Sequence, residues 1–63
     1  MIYDNIKALA DKKGMSIAEI EKKAQIGNGI IGKWKESAPN VASLLKVAKV
    51  LGVSINTLTK GYK

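Results

Sequence analysis

The sequence predicts an all-α fold of five short helices, and three observations carry that prediction. Apolar residues recur three and four apart along the chain. Serine, asparagine and glycine stand where those recurrences begin and stop, as caps do. The connections are two to six residues long, with no linker, repeat or low-complexity tract between them. At 63 residues the chain reads as one domain, 1–63, near the size at which folding buries only about 60% of the unfolded surface.

Helix 1 is expected over Met1–Lys13. Ile2, Ile6, Leu9 and Ala10 share a face flanked by Tyr3. Asp4 lies in the first turn, and Lys12 and Lys13 in the last, where each charge complements the helix dipole. Gly14 stops the helix as a left-handed C-cap, and Met15 is placed to pack against Ile20.

The stretch Ser16–Glu36 organises the rest. Ser16 caps a second helix, with Glu19 three residues on to complete a capping box, and Ile17, Ile20 and Ala24 follow at helical spacing. Gln25, Ile26 and Gly27 interrupt that pattern. Asn28 is expected to cap a third helix on which Ile31 and Trp34 lie three apart. Two amphipathic segments of about two turns each are too short to stand alone, so they must dock on each other and on their neighbours. That is the plan of a helix-turn-helix.

Ser37, Ala38 and Pro39 form a loop, because proline cannot continue the third helix. Asn40 caps helix 4, which runs to Leu51 with Val41, Leu44, Val47, Ala48 and Leu51 inward and Lys46 and Lys49 outward. Gly52 closes it. Ser54 caps a last helix carrying Ile55 and Leu58, and Gly61 ends that helix.

Composition removes several function classes. Cysteine and histidine are both absent, which excludes disulfides, Cys/His zinc sites, thiol nucleophiles and histidine acid–base chemistry. Asp4, Asp11, Glu19, Glu21 and Glu36 are expected on scattered solvent faces with no pocket of a few hundred Å³ beside them, so neither an enzyme nor a small-molecule site is predicted, and no cofactor or metal. No apolar run approaches the ~20 residues of a membrane span, and the Met1 end lacks a signal-peptide pattern, so a cytoplasmic address is expected. The net charge of +6 and pI near 9.8 point toward a polyanion, the plainer alternative being lysine that keeps a small domain soluble. All eleven basic residues are lysine, so any guanine contact is made by a point charge and not by a guanidinium fork.

The segments KKGMSIAEIEKKA, IGNGIIGKWKESAPN and LLKVAKVLGVSINTL resemble the phage repressor and Cro family of helix-turn-helix proteins, also called XRE-like, over nearly the whole chain. The form NGxIxKW followed by SxPN looks most like small regulators of prophages and mobile elements in Gram-positive bacteria. The resemblance implies a five-helix lambda-repressor-like DNA-binding domain whose helix-turn-helix is formed by helices 2 and 3. The chain also departs from the family pattern, carrying Ile17, Glu21 and Gln25 where most members have glutamine, a small alanine and glycine. Glu21 is therefore expected to bend toward solvent, and Gln25 either to accept strain or to pass the positive φ of the turn to Gly27.

Helix-turn-helix proteins lay the second helix of the motif in the major groove of DNA with its first residues against the base edges. With Ile31 and Trp34 inward, Gly29, Gly32, Lys33 and Glu36 face outward, and Asn28 and Ile30 lie on the flanks. Asn28 is placed to read adenine, to bond a phosphate or to cap its helix. Gly29 and Gly32 each cost about 1 kcal/mol of helix propensity, spent either on close approach to the groove or on a merely loose helix. Ile30 touches a thymine methyl or completes the core. Lys33 is placed for guanine N7/O6 or a phosphate, whereas the spacing of Trp34 from Ile31 makes the indole a core anchor and not a base-stacking platform. Ser16, Ile17, Lys35, Ser37 and Asn40 are the expected phosphate contacts.

One reading helix covers few base pairs, so two copies on half-sites about 34 Å apart are expected. The resemblance puts the interface of a weak homodimer around Ile55, Leu58 and Tyr62, with Val50 as a spare exposed valine. The predicted function is a double-stranded DNA-binding regulator, a repressor that occupies an operator. The alternative is a protein-interaction module on the same fold, antirepressor- or antitoxin-like, motivated by Glu21, Gln25 and the glycines of helix 3.

Overall fold

Local caps set most of the helix boundaries. The computed structural model describes residues 2–59, which form α1 (Ile2–Lys13), α2 (Ile17–Ala24), α3 (Ile30–Lys33), α4 (Val41–Leu51) and α5 (Ile55–Leu58), with no strand among them. At the end of α1, Gly14 takes a φ of 69°, and the Met15 N–H reaches the Ala10 carbonyl at 2.9 Å. The Ser16 hydroxyl accepts from the Glu19 N–H at 3.0 Å. The other half of the expected capping box is not made, because the Glu19 carboxylate turns to Lys23 at 3.7 Å. Asn40 caps α4 by accepting from the Ser43 N–H at 2.8 Å, and Gly52 closes that helix in the left-handed region. Ser54 caps α5 through the Thr57 N–H at 3.3 Å. Met1, Gly61 and Tyr62 lie outside the described residues.

The apolar stripes of these helices converge on one core. Packing is densest where α2 meets α4; α1 lies against α2 and α5, α4 against α5, and α3 against α2. Ile6, Ile20, Ile31, Val47, Leu51 and Leu58 are fully buried, each contributing about 1.5–3 kcal/mol by leaving water. The side-chain amide of Asn5 in α1 donates to the Leu58 carbonyl at 2.8 Å, tying the first helix to the last. On the exposed side of α1, Asp11 accepts from Lys7 at 2.8 Å and thereby raises the lysine's pKa.

Two apolar placements differ from expectation. Val41 is 66% exposed instead of inward. With 3.6 residues per turn, Val41 and Leu45 share a flank offset from the Leu44–Val47–Leu51 stripe, and that flank faces solvent. Val50, expected to be exposed, is half-buried against the core. Among the described residues no helix is long and apolar enough to cross a membrane.

Candidate nucleic-acid interface

The turn between α2 and α3 is built from backbone bonds. Gln25 takes φ 58° and ψ 40°; its N–H reaches the Lys22 carbonyl at 3.2 Å and the Ile26 N–H reaches Glu21 at 3.1 Å, closing α2. Gln25 thus accepts the left-handed conformation itself, and Gly27, the other candidate, does not adopt a positive φ. A Cβ at Gly27 would meet Ile30 Cδ1 at 2.8 Å, the movable end of that side chain, so a larger residue there would require Ile30 to shift.

The start of α3 overturns two expectations. Asn28 is exposed and is not the cap; the capping position is Gly29 at φ 85°, which has no side chain to offer. Glu21 does the capping from α2. Its carboxylate does not bend toward solvent but is buried, with only 3% of the residue exposed. One oxygen accepts from the Gly29 N–H at 3.0 Å and the other from the Ile31 N–H at 2.9 Å. A buried carboxylate without partners would be costly, and these two donors satisfy it while it satisfies them. No buried side-chain nitrogen or oxygen among the described residues lacks a partner.

The outward face of α3 then follows from what is inward. Ile31 is fully buried and Trp34 is 7% exposed, so Gly29, Gly32, Lys33 and Glu36 lie on the solvent side as the periodicity predicts. The α-helix itself is shorter than expected. Beyond Lys33 the chain continues through turns, with N–H groups of Trp34, Lys35 and Glu36 bonding three residues back at 3.0, 3.4 and 3.1 Å. Ile30 is half-buried against the core.

The residues expected at phosphates frame this face. Ser16 and Ile17 stand at the start of α2, the serine exposed and the isoleucine half-buried against the core. Ser37 and Asn40 are exposed on the other side, with the Asn40 oxygen already committed to its cap. Lys35 is exposed, but its ammonium lies 4.6 Å from the centre of the Tyr3 ring, a cation–π contact that draws it toward α1.

The expected dimer surface is reduced. Leu58 is fully buried within its own chain, because α5 packs it between α1 and α4, and it has no surface for a partner. Ile55 is half-buried, and Tyr62 lies outside the described residues. The expectation of no pocket is corrected too: an open hollow of about 390 Å³ is lined by Ala18, Glu21, Lys22, Ile26 and Asn28.

Sequence reasoning missed Glu21 although the signal was present. It stands four residues after Ile17 and three before Ala24, so the same periodicity that buries Ile20 carries it onto the inward face.

Two short helices joined by a left-handed turn, the second showing a glycine-and-lysine face to solvent, define a helix-turn-helix DNA-binding domain. The helix-turn-helix family matches residues 6–58, which include all of α2 to α5. The chain belongs to that family, the XRE-like DNA-binding regulators. No curated protein and no solved structure matches it significantly.

Proposed function

We propose that the chain is a transcriptional repressor, of the kind carried by prophages and mobile elements, that places α3 in the major groove of an operator and blocks polymerase by occupying it. The observation that carries this reading is the division of α3, with Ile31 and Trp34 inside and Gly29, Gly32 and Lys33 outside. Gly32 adds to it: a Cβ there would meet nothing within 4 Å, so the fold itself has no use for a glycine that costs about 1 kcal/mol of helix propensity. Closeness to a base edge supplies the use.

In this reading Asn28, Gly29, Ile30, Gly32 and Lys33 face the bases, with Ile30 offering its exposed edge to a thymine methyl. Ser16, Ile17, Lys35, Ser37 and Asn40 meet the phosphates. Two copies bind half-sites about 34 Å apart, associating weakly off DNA through the region of Ile55 and Tyr62, in the cytoplasm and at the nucleoid. The interaction-module alternative keeps only the glycines of α3 as its motivation, since Glu21 and Gln25 each have a task inside the motif.

Selection of bound duplexes from a random pool tests the proposal. A preferred half-site should emerge, and affinity for it should fall by orders of magnitude between 50 and 200 mM salt for a dimer with ~6–10 phosphate contacts. Lys33→Ala should cost about 1–3 kcal/mol of binding and relax specificity at one base pair, with an unchanged circular dichroism spectrum. Lys33→Ala binding as tightly as the parent chain would decide against α3 as the reading element.

A further inference from the structure

We infer that Glu21 is a positioning residue for DNA reading: by holding the Gly29 and Ile31 N–H groups on its two carboxylate oxygens, it fixes the attitude of α3 and gives the domain its preference for one sequence over another. The inference rests on the proposed reading role of α3 and adds to it a cause for sequence discrimination.

The geometry supplies the argument. With four residues, α3 is too short to keep its own orientation. On one side it is anchored by the buried side chains of Ile31 and Trp34. Apolar burial is non-directional, so these contacts fix the rotation of the helix less sharply than directional hydrogen bonds do. The Glu21 carboxylate adds two bonds of 3.0 and 2.9 Å to residues two apart at the start of the helix, and a two-point attachment of that kind resists rotation. Lys33 projects from the same helix, so a turn of α3 moves its ammonium relative to whatever it reads. Hydrogen-bond readout of base edges depends on such placement, and a displacement of about 1 Å is enough to lose it.

The same bonds decide which groups of α3 are offered to DNA. The N–H groups of Gly29 and Ile31 are occupied by Glu21, so this helix start does not present them to a phosphate. With these two donors taken, the helix start has fewer N–H groups to spend on phosphates, and it is contacts to base edges, not to phosphates, that carry sequence information.

Charge gives the test its sign. The chain has eleven lysines and five acids, hence +6; removing Glu21 leaves four acids and +7. If Glu21 acted only through its charge, Glu21→Gln would tighten binding to every DNA alike. If it positions α3, Glu21→Gln weakens binding to the selected site while binding to random duplex stays level or rises. The glutamine keeps the shape but sets an NH2 group against one of the two N–H donors.

The experiment measures affinity of the wild-type chain, Glu21→Gln and Glu21→Asp for the selected site and for random duplex, well below each protein's melting temperature as read by circular dichroism. Amide hydrogen exchange of Gly29 and Ile31 is followed in the wild-type chain. The expected result is a ratio of specific to random affinity that falls at least about tenfold in both variants, with both amides protected in the parent. An unchanged ratio in folded Glu21→Gln overturns the inference and leaves α3 as the reading helix. Unprotected Gly29 and Ile31 amides overturn it without use of any variant. A wild-type chain that prefers no sequence overturns both this inference and the proposed function.

Discussion

Helices α2, α4 and α5 begin in one way and α3 in another. At the first three, a serine or asparagine accepts the N–H three residues ahead: Ser16 from Glu19, Asn40 from Ser43 and Ser54 from Thr57. At α3 the capping position is a glycine, and the acceptor comes from Glu21, eight and ten residues back along the chain. The difference is one of information as much as energy. A local cap helps to start a helix wherever the segment goes, whereas a cap borrowed from the neighbouring helix exists only when the two helices are docked. The element proposed to read DNA is thus the one whose start depends on tertiary structure.

That contrast is open to mutation, and the largest effect should come from the apolar side of the α3 attachment. Trp34→Ala is expected to cost about 3–5 kcal/mol in urea unfolding followed by circular dichroism, a large share of the stability of so small a domain. Next comes Glu21→Ala at about 2–4 kcal/mol, since it leaves the Gly29 and Ile31 N–H groups without their acceptor. Removing a local cap should cost less: about 1 kcal/mol for Asn40→Ala. Equal losses at Glu21 and Asn40 would erase the distinction between remote and local capping. The smallest change should be a gain. Gln25→Gly relieves a left-handed conformation costing about 1–2 kcal/mol but adds unfolded-state freedom, for a net stabilisation of about 0.5 kcal/mol in the same assay. A loss there would mean that the Gln25 side chain contributes contacts worth more than the strain.

The legible parts of the fold were those written in short-range chemistry. Ser16, Asn40, Ser54, Gly14 and Gly52 all cap where their residue types indicate. The inward placement of Ile31 and Trp34, and with it the outward Lys33, followed from a spacing of three on a helical repeat. Val41 was misread because periodicity reports a helix face without saying how far along that face a neighbour extends. Asn28 was misread as a cap because a favourable residue type stood one position before the actual helix start, and nothing local signalled that a carboxylate would arrive from α2. Leu58 was read in part as surface because burial of α5 depends on α1, which lies at the far end of the chain.

By itself the sequence determined five helices, the caps of α2, α4 and α5, an aliphatic core and a lysine-rich surface, because those depend on residue types within a turn or two of one another. Only the docked structure decided that Glu21, on the inward face of α2, finds two donors there and completes the start of α3. A carboxylate on the apolar face of an isolated helix would prefer water; two backbone donors on a second helix, brought within 3.0 Å, reverse that preference, and those donors take their place only when the chain is folded.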